Sequence, residues 1–207
     1  MKALNSVATF FIVGLFLIAC NSSQQKEGKV NEKENTTVEI EKNFTEEWLA
    51  IGDSISNHAQ NTLLNNVATA MKEGGPEHAI DFCNTAAVPL TDSIAGMHNV
   101  NIQRITDKNR NPDNHLSTLM DSMVWEKIQT TLLEESEEPL HYVEQEEGGL
   151  YYYKAIKIGM PTCLACHGGK EDISETTLNV LAQRYPNDKA IAYELGDLRG
   201  LWKIKLK

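Results

Sequence analysis

The chain has 207 residues, a formal net charge of −10, and 41% hydrophobic against 23% charged residues. That length suffices for one core of ordinary size. The acidic balance argues against nucleic acid as a partner and against charge-driven docking on anionic lipid. It suits a basic redox partner, although acidity also serves plain solubility.

Lys2 precedes an apolar run from Val7 to Ala19, followed by Cys20. A basic residue ahead of a short apolar core reads as an export signal, and the run is too short for a comfortable membrane span. Leu17-Ile18-Ala19-Cys20 resembles the bacterial lipobox, which implies removal of residues 1–19 and acylation of the Cys20 thiol. Several acyl chains on one residue are enough for stable anchoring. The expectation is an exported bacterial lipoprotein, periplasmic or anchored in the outer membrane, with an ordinary signal peptide or an uncleaved anchor as the alternative. Without the leader and its Lys2 the charge becomes −11.

Residues 20–43 follow, rich in Asn, Gln, Lys, Glu, Ser and Thr with almost nothing apolar. Such a segment cannot bury enough surface to fold, so a flexible tether is expected there. Its mean reach as a coil is about 26 Å, which holds a domain clear of lipid headgroups. The folded domain is then expected at residues 44–207.

Asn43 with Glu46 signals a helix start. Phe44, Trp48, Ile51, Ile55, Leu63, Val67 and Met71 recur mostly at helical steps, so an amphipathic helix is predicted to about Lys72. Gly74-Gly75 stops it, and Pro76 suits the first turn of a second helix carrying Ala79, Ile80, Cys83, Ala86 and Ala87. Residues 100–105 alternate as a strand. They lead into the polar loop 107–114, where Arg104 and Arg110 bracket strong turn residues. A third helix is predicted from Asn114, with Leu116, Leu119, Met120, Met123, Val124 and Leu132 on its inner side. Leu140–Glu146 and Leu150–Ile158 form a hairpin around Gly148-Gly149. Ser174 caps a short helix through Leu181. The chain closes on an alternating strand, residues 201–206, whose lysines are expected to face out.

Between the hairpin and that short helix stands Gly159-Met160-Pro161-Thr162-Cys163-Leu164-Ala165-Cys166-His167-Gly168-Gly169. Cys163, Cys166 and His167 make a C-x-x-C-H, the attachment pattern of c-type haem. Two thiols one helical turn apart can form thioethers to the two vinyl groups of one porphyrin. The adjacent imidazole then lies beneath the ring as the proximal iron ligand. A thioredoxin-like pair needs its helix to continue, and Gly168-Gly169 ends it at once. A zinc site needs about four ligands, and no second C-x-x-C or H-x₃-H exists. A surface disulfide turn is the plainest alternative. Attachment of haem c takes place outside the cytoplasm, in agreement with the export signal.

With Cys20 assigned to lipid and Cys163 and Cys166 to haem, Cys83 is left over in an oxidising compartment. It reads either as a thiolate ligand opposite His167 or as a small buried hydrophobe. His58, His78, His98, His115, His141, Met71, Met97, Met120, Met123 and Met160 compete for that sixth position. Arg104 and Arg110 can pair with the haem propionates through their planar guanidinium groups. The alternative is a surface loop.

Several separated motifs then coincide. Ala79-Ile80-Asp81-Phe82-Cys83, Arg104-Ile105-Thr106, Arg110-Asn111-Pro112-Asp113-Asn114, the motif 161–168, Tyr185-Pro186-Asn187-Asp188 and Gly196-Asp197-Leu198-Arg199-Gly200 stand in order over nearly the whole domain. Together they resemble the single-haem c-type proteins with a PAS-like fold, known as stand-alone exported proteins and as periplasmic sensor portions of bacterial kinases and chemoreceptors. The resemblance implies an α+β domain, an antiparallel sheet flanked by helices, with one covalently bound haem held on one side. It also implies that the cysteine matching Cys83 can be the axial ligand opposite His167. One departure is Ala190-Ile191-Ala192-Tyr193, where Ala-Thr-Gly-Tyr is expected.

The functional expectation is a lipid-anchored monohaem c-type cytochrome in electron transfer or redox reporting. The alternative is a haem-based gas or redox sensor module whose distal ligand leaves on reduction. No kinase or chemotaxis output domain follows in this chain. An enzyme of peroxidase type ranks last, because no distal acid–base pair is evident.

Overall fold

The computed structural model describes residues 28–146 and 148–207, with side chains from Lys42 onward. The expected signal segment and Cys20 lie outside the described residues. Eight elements follow one another: α1 (Gly28–His98), β1 (Asn101–Ile105), α2 (Leu119–Leu133), β2 (His141–Glu146), β3 (Gly149–Lys157), α3 (Pro161–His167), α4 (Glu175–Arg184) and β4 (Leu198–Lys205). The chain divides into two units between Ile40 and Glu41; of the first, residues 28–40 are described and are helical. Residues 28–43 therefore do not form the coil expected of a tether. Lys and Glu are good helix formers, and a helix satisfies its backbone without burying a face.

In the second unit, α1 is two helical arms. Gly74 (φ −157°, ψ 21°) and Gly75 (φ 73°, ψ −166°) leave helical geometry, as their sequence predicts, and Pro76 opens the second arm. The positive φ at Gly75 is the conformation that glycine adopts most cheaply. Ile55 and Ala59 of the first arm and Ile94 and Ala95 of the second enter one core cluster, so the arms pack side by side.

The sheet has four antiparallel strands in the order β1-β4-β3-β2. The two arms of α1 cover one face, where Ile102, Tyr152, Trp202 and Ile204 meet the helix residues just named. Gly52 allows this approach: a Cβ there would lie 2.2 Å from the Tyr152 ring. Beside it the Asp53 carboxylate accepts from the Tyr152 hydroxyl and from Lys154 Nζ (2.9 Å), and His141 Nδ1 lies 3.1 Å away. Burial alone would raise the Asp53 pKa, but these partners outweigh it and hold the carboxyl at about 2.

The other face is covered by α2. Val124, Trp125 and Ile128 pack on Ile105, Tyr153, Leu198 and Leu201. This helix starts at Leu119 rather than Asn114, because Thr118 and Asp121 form a capping box. Asn114 and His115 instead pair with Thr106 at the end of β1. The phase also differs from the expected one. Leu119 and Met123 are exposed, while Asp121 and Thr131 are buried with the apolar positions.

β4 lies between β1 and β3 and is buried on both sides, so its lysines do not all face out as expected. Lys203 is 5% exposed, and its Nζ lies 2.6 Å from Oδ1 of the fully buried Asp121. Tyr153 donates to the same oxygen (2.9 Å), while Ser117 and Thr118 donate to Oδ2. These bonds hold the Asp121 carboxyl below the usual range against the opposing effect of burial. Removing one partner of such a pair leaves an uncompensated buried charge. Asp121→Ala is expected to lower unfolding free energy by about 3–5 kcal/mol, read by urea denaturation at neutral pH.

Candidate functional site

The C-x-x-C-H motif forms α3, a seven-residue helix between β3 and α4. Pro161 takes the first helical position, where its missing N–H is not needed, and the turn closes with Gly168 N–H on the Leu164 carbonyl (2.8 Å). A side chain on Gly168 would meet the Asp172 carboxyl at 2.5 Å. The helix therefore stops directly after His167, as the Gly168-Gly169 pair predicts. The following helix, α4, begins at the Ser174 cap and runs one turn beyond Leu181 to Arg184.

The segment 185–193 buttresses α3. Gly168 and His167 accept through their carbonyls from Ala192 N–H (2.7 Å) and Tyr193 N–H (3.0 Å). Arg110 ties the same parts together: Nε and Nη2 each lie 3.0 Å from Asp188 Oδ2, and Nη2 also donates to the carbonyls of Cys166 (2.6 Å) and Ala190 (3.2 Å). These bonds join the loop 107–114 to α3 and to the segment 185–193, so Arg110 positions the motif.

His167 Nδ1 lies 2.9 Å from the Ala190 carbonyl and 3.3 Å from Arg199 Nε. One nitrogen cannot donate to the first and accept from the second. Burial, helped by the nearby arginines, holds the His167 pKa well below 6.5, so the ring is neutral. The shorter contact assigns its single proton to Nδ1 and leaves the Nε2 lone pair available. A metal-binding histidine is commonly oriented by a carbonyl in this way.

Cys83, Cys163, Cys166 and His167 line one cavity of about 470 Å³ under the two arms of α1. Leu63, Val67 and Met71 come from the first arm, Ala79, Ile80 and Cys83 from the second, and Ile156 and Trp202 from the sheet. The size is that of a small-molecule or cofactor pocket. All three thiols are unpaired, so the disulfide alternative is not the arrangement found. Burial raises the thiols of Cys83 and Cys166, the latter to about 11, with Arg110 opposing in both cases and Arg104 at Cys83. Among the competing ligands, Met71 and Met160 also line the cavity, whereas His58, His78, His98, His115, His141, Met97, Met120 and Met123 do not.

Lys72, Arg104, Arg110, Lys157 and Arg199 all reach this cavity, and among the described residues no Asp or Glu lines it. Only Arg110 has a carboxylate partner among the described residues. Burial lowers the pKa of Arg104 and of Arg199 from the ordinary guanidinium value. Arg199 escapes a reading of motif chemistry, because it sits at the start of β4 and meets His167 only in three dimensions. Its signal was the Gly196–Gly200 element.

At the departure from the expected Ala-Thr-Gly-Tyr, Ala192 adopts φ 58°. The left-handed turn is therefore kept without glycine, because the bonds from 192 and 193 to the motif fix it. An alanine there is strained. Ala192→Gly is expected to stabilise the protein by about 1 kcal/mol, measured by denaturant unfolding.

The Tll0287-like family matches residues 23–206 of this chain. Among solved structures, the chain is similar to the cyanobacterial heme-protein Tll0287, with 21% identity and a TM-score of 0.48. That similarity covers 69% of this chain and 93% of the other. No curated protein matches. From the motif geometry and the extent of the family match, the chain belongs to the Tll0287-like family.

Proposed function

We propose that the cavity holds one haem c, attached through Cys163 and Cys166, with His167 as proximal ligand and Cys83 as distal ligand. The observation that carries this reading is the meeting of a C-x-x-C-H helix, a further thiol and two arginines without a carboxylate partner among the described residues around one largely apolar cavity. A flat apolar group bearing two carboxylates matches that lining in shape and in charge. Arg104 and Arg199 answer the propionates, in place of Arg110, which is held by Asp188. His167 offers Nε2 because its Nδ1–H donates to the Ala190 carbonyl. When bound, haem c supplies a one-electron ferric/ferrous couple, which a thiolate shifts toward low potential.

The protein is then an exported monohaem cytochrome, anchored to a membrane through acylated Cys20, that carries electrons or reports redox state to a basic partner. Among the described residues no helix is long and apolar enough to cross a membrane. The reading assigns no enzymatic turnover.

Absorption spectra of the haem-loaded protein, ferric, reduced, and reduced with carbon monoxide, test the ligand set against Cys83→Ala. Wild type is expected to show thiolate ligation in the ferric state, the variant to lose it, and the variant's midpoint potential to rise. Identical ferric spectra make Cys83 a wall residue and leave Met71 or Met160 as the ligand. Carbon monoxide binding to reduced wild type moves the function toward a gas-sensing module.

A further inference from the structure

The two arms of α1 meet a second time at the surface, away from the cavity. His58 of the first arm and His98, the last residue of the second, are both exposed, and His58 Nδ1 lies 3.1 Å from His98 Nε2. Their rings stand nearly perpendicular, 80° between planes, with centroids 5.4 Å apart. The backbones beneath them are fixed. Ala59 follows His58 directly, Ala95 and Ile94 lie three and four residues before His98, and all three are buried in one cluster. Small residues at that crossing bring the arms close, so core packing sets the separation of the two backbones that carry the imidazoles.

We propose that His58 and His98 form a binding site for one divalent transition-metal ion of the zinc or copper class. Imidazole suits these ions, and Zn–N bonds measure about 2.0–2.1 Å. Two such bonds to nitrogens 3.1 Å apart enclose an angle of about 98°, between square and tetrahedral coordination. The separation is thus both a hydrogen-bond length and a chelating bite. In the hydrogen-bonded pair one facing nitrogen carries a proton. With an ion between the rings both facing nitrogens present lone pairs, and that proton moves to the other nitrogen of its own ring, so both rings stay neutral. No group of three or more His, Cys, Asp or Glu side chains able to hold a metal occurs among the described residues, so water fills the remaining positions. The ion would clamp the arms that carry Met71 and Cys83, independently of what the cavity holds.

Zinc chloride is titrated into the full-length, haem-loaded protein by calorimetry, beside His58→Gln and His98→Gln. Both positions are exposed, so the variants should keep the wild-type far-ultraviolet circular dichroism and, without zinc, its melting temperature. Wild type is expected to bind one zinc that each variant binds at least tenfold more weakly. Zinc should also raise the melting temperature of wild type and leave that of the variants unchanged. Equal affinity in all three proteins, or an equal thermal response, overturns the assignment. So does the absence of binding by wild type.

Discussion

Gly74 and Gly75 let the part of α1 within the second unit double back on itself, and the cavity depends on that reversal. One arm supplies an apolar wall and the other supplies Cys83, while the sheet beneath contributes Trp202 and Ile156. Had the helix run straight, Cys83 could not face the cysteines of α3. The packing that holds the arms together is dominated by Ala59, Ile55, Ile94 and Ala95, small or β-branched residues that admit a close crossing. Gly52 plays the corresponding role against the sheet, since any side chain there would strike Tyr152. Close approach, rather than specific bonding, thus shapes the space.

Charge then distinguishes this space from an ordinary crevice. The chain is acidic as a whole, at −10, yet among the described residues only basic charges line the cavity. Buried or half-buried cations without carboxylate partners are costly unless something compensates them. Asp121 and Lys203 on the opposite face of the sheet show the usual solution, a pair at 2.6 Å with every remaining lone pair occupied. Arg110 is settled in the same manner by Asp188 and two carbonyls. Arg104 and Arg199 have no carboxylate partner among the described residues, and this contrast supports the proposed contacts with an anionic group.

Much of this was legible in sequence because its signals were local. The hairpin, the glycine break, the Ser174 cap and the abrupt end of α3 after His167 all rest on residues next to one another. The errors came where polar residues behave as core. Asp121 and Thr131 sit on the buried side of α2, so an apolar stripe placed Leu119 and Met123 inward when they are exposed. Lys203 looked like the outward half of an alternation, but β4 is covered on both faces and its charge is met by Asp121. The role of Arg199 needed three-dimensional proximity, since 32 residues separate it from His167. The helicity of residues 28–43 was hidden for the opposite reason: composition reports that a segment lacks a core, not that its backbone is irregular. Conversely, the glycine missing at Ala192 was visible at once, and its consequence is a strained turn rather than a lost one.

The most direct test of haem attachment is the intact mass of the protein after expression with a c-type maturation system, beside a Cys163→Ala/Cys166→Ala double variant. Wild type is expected to gain the mass of one haem that survives acidic organic extraction, and the double variant to gain none. A wild-type protein at its unmodified mass, or a variant that retains the group equally well, would contradict haem attachment.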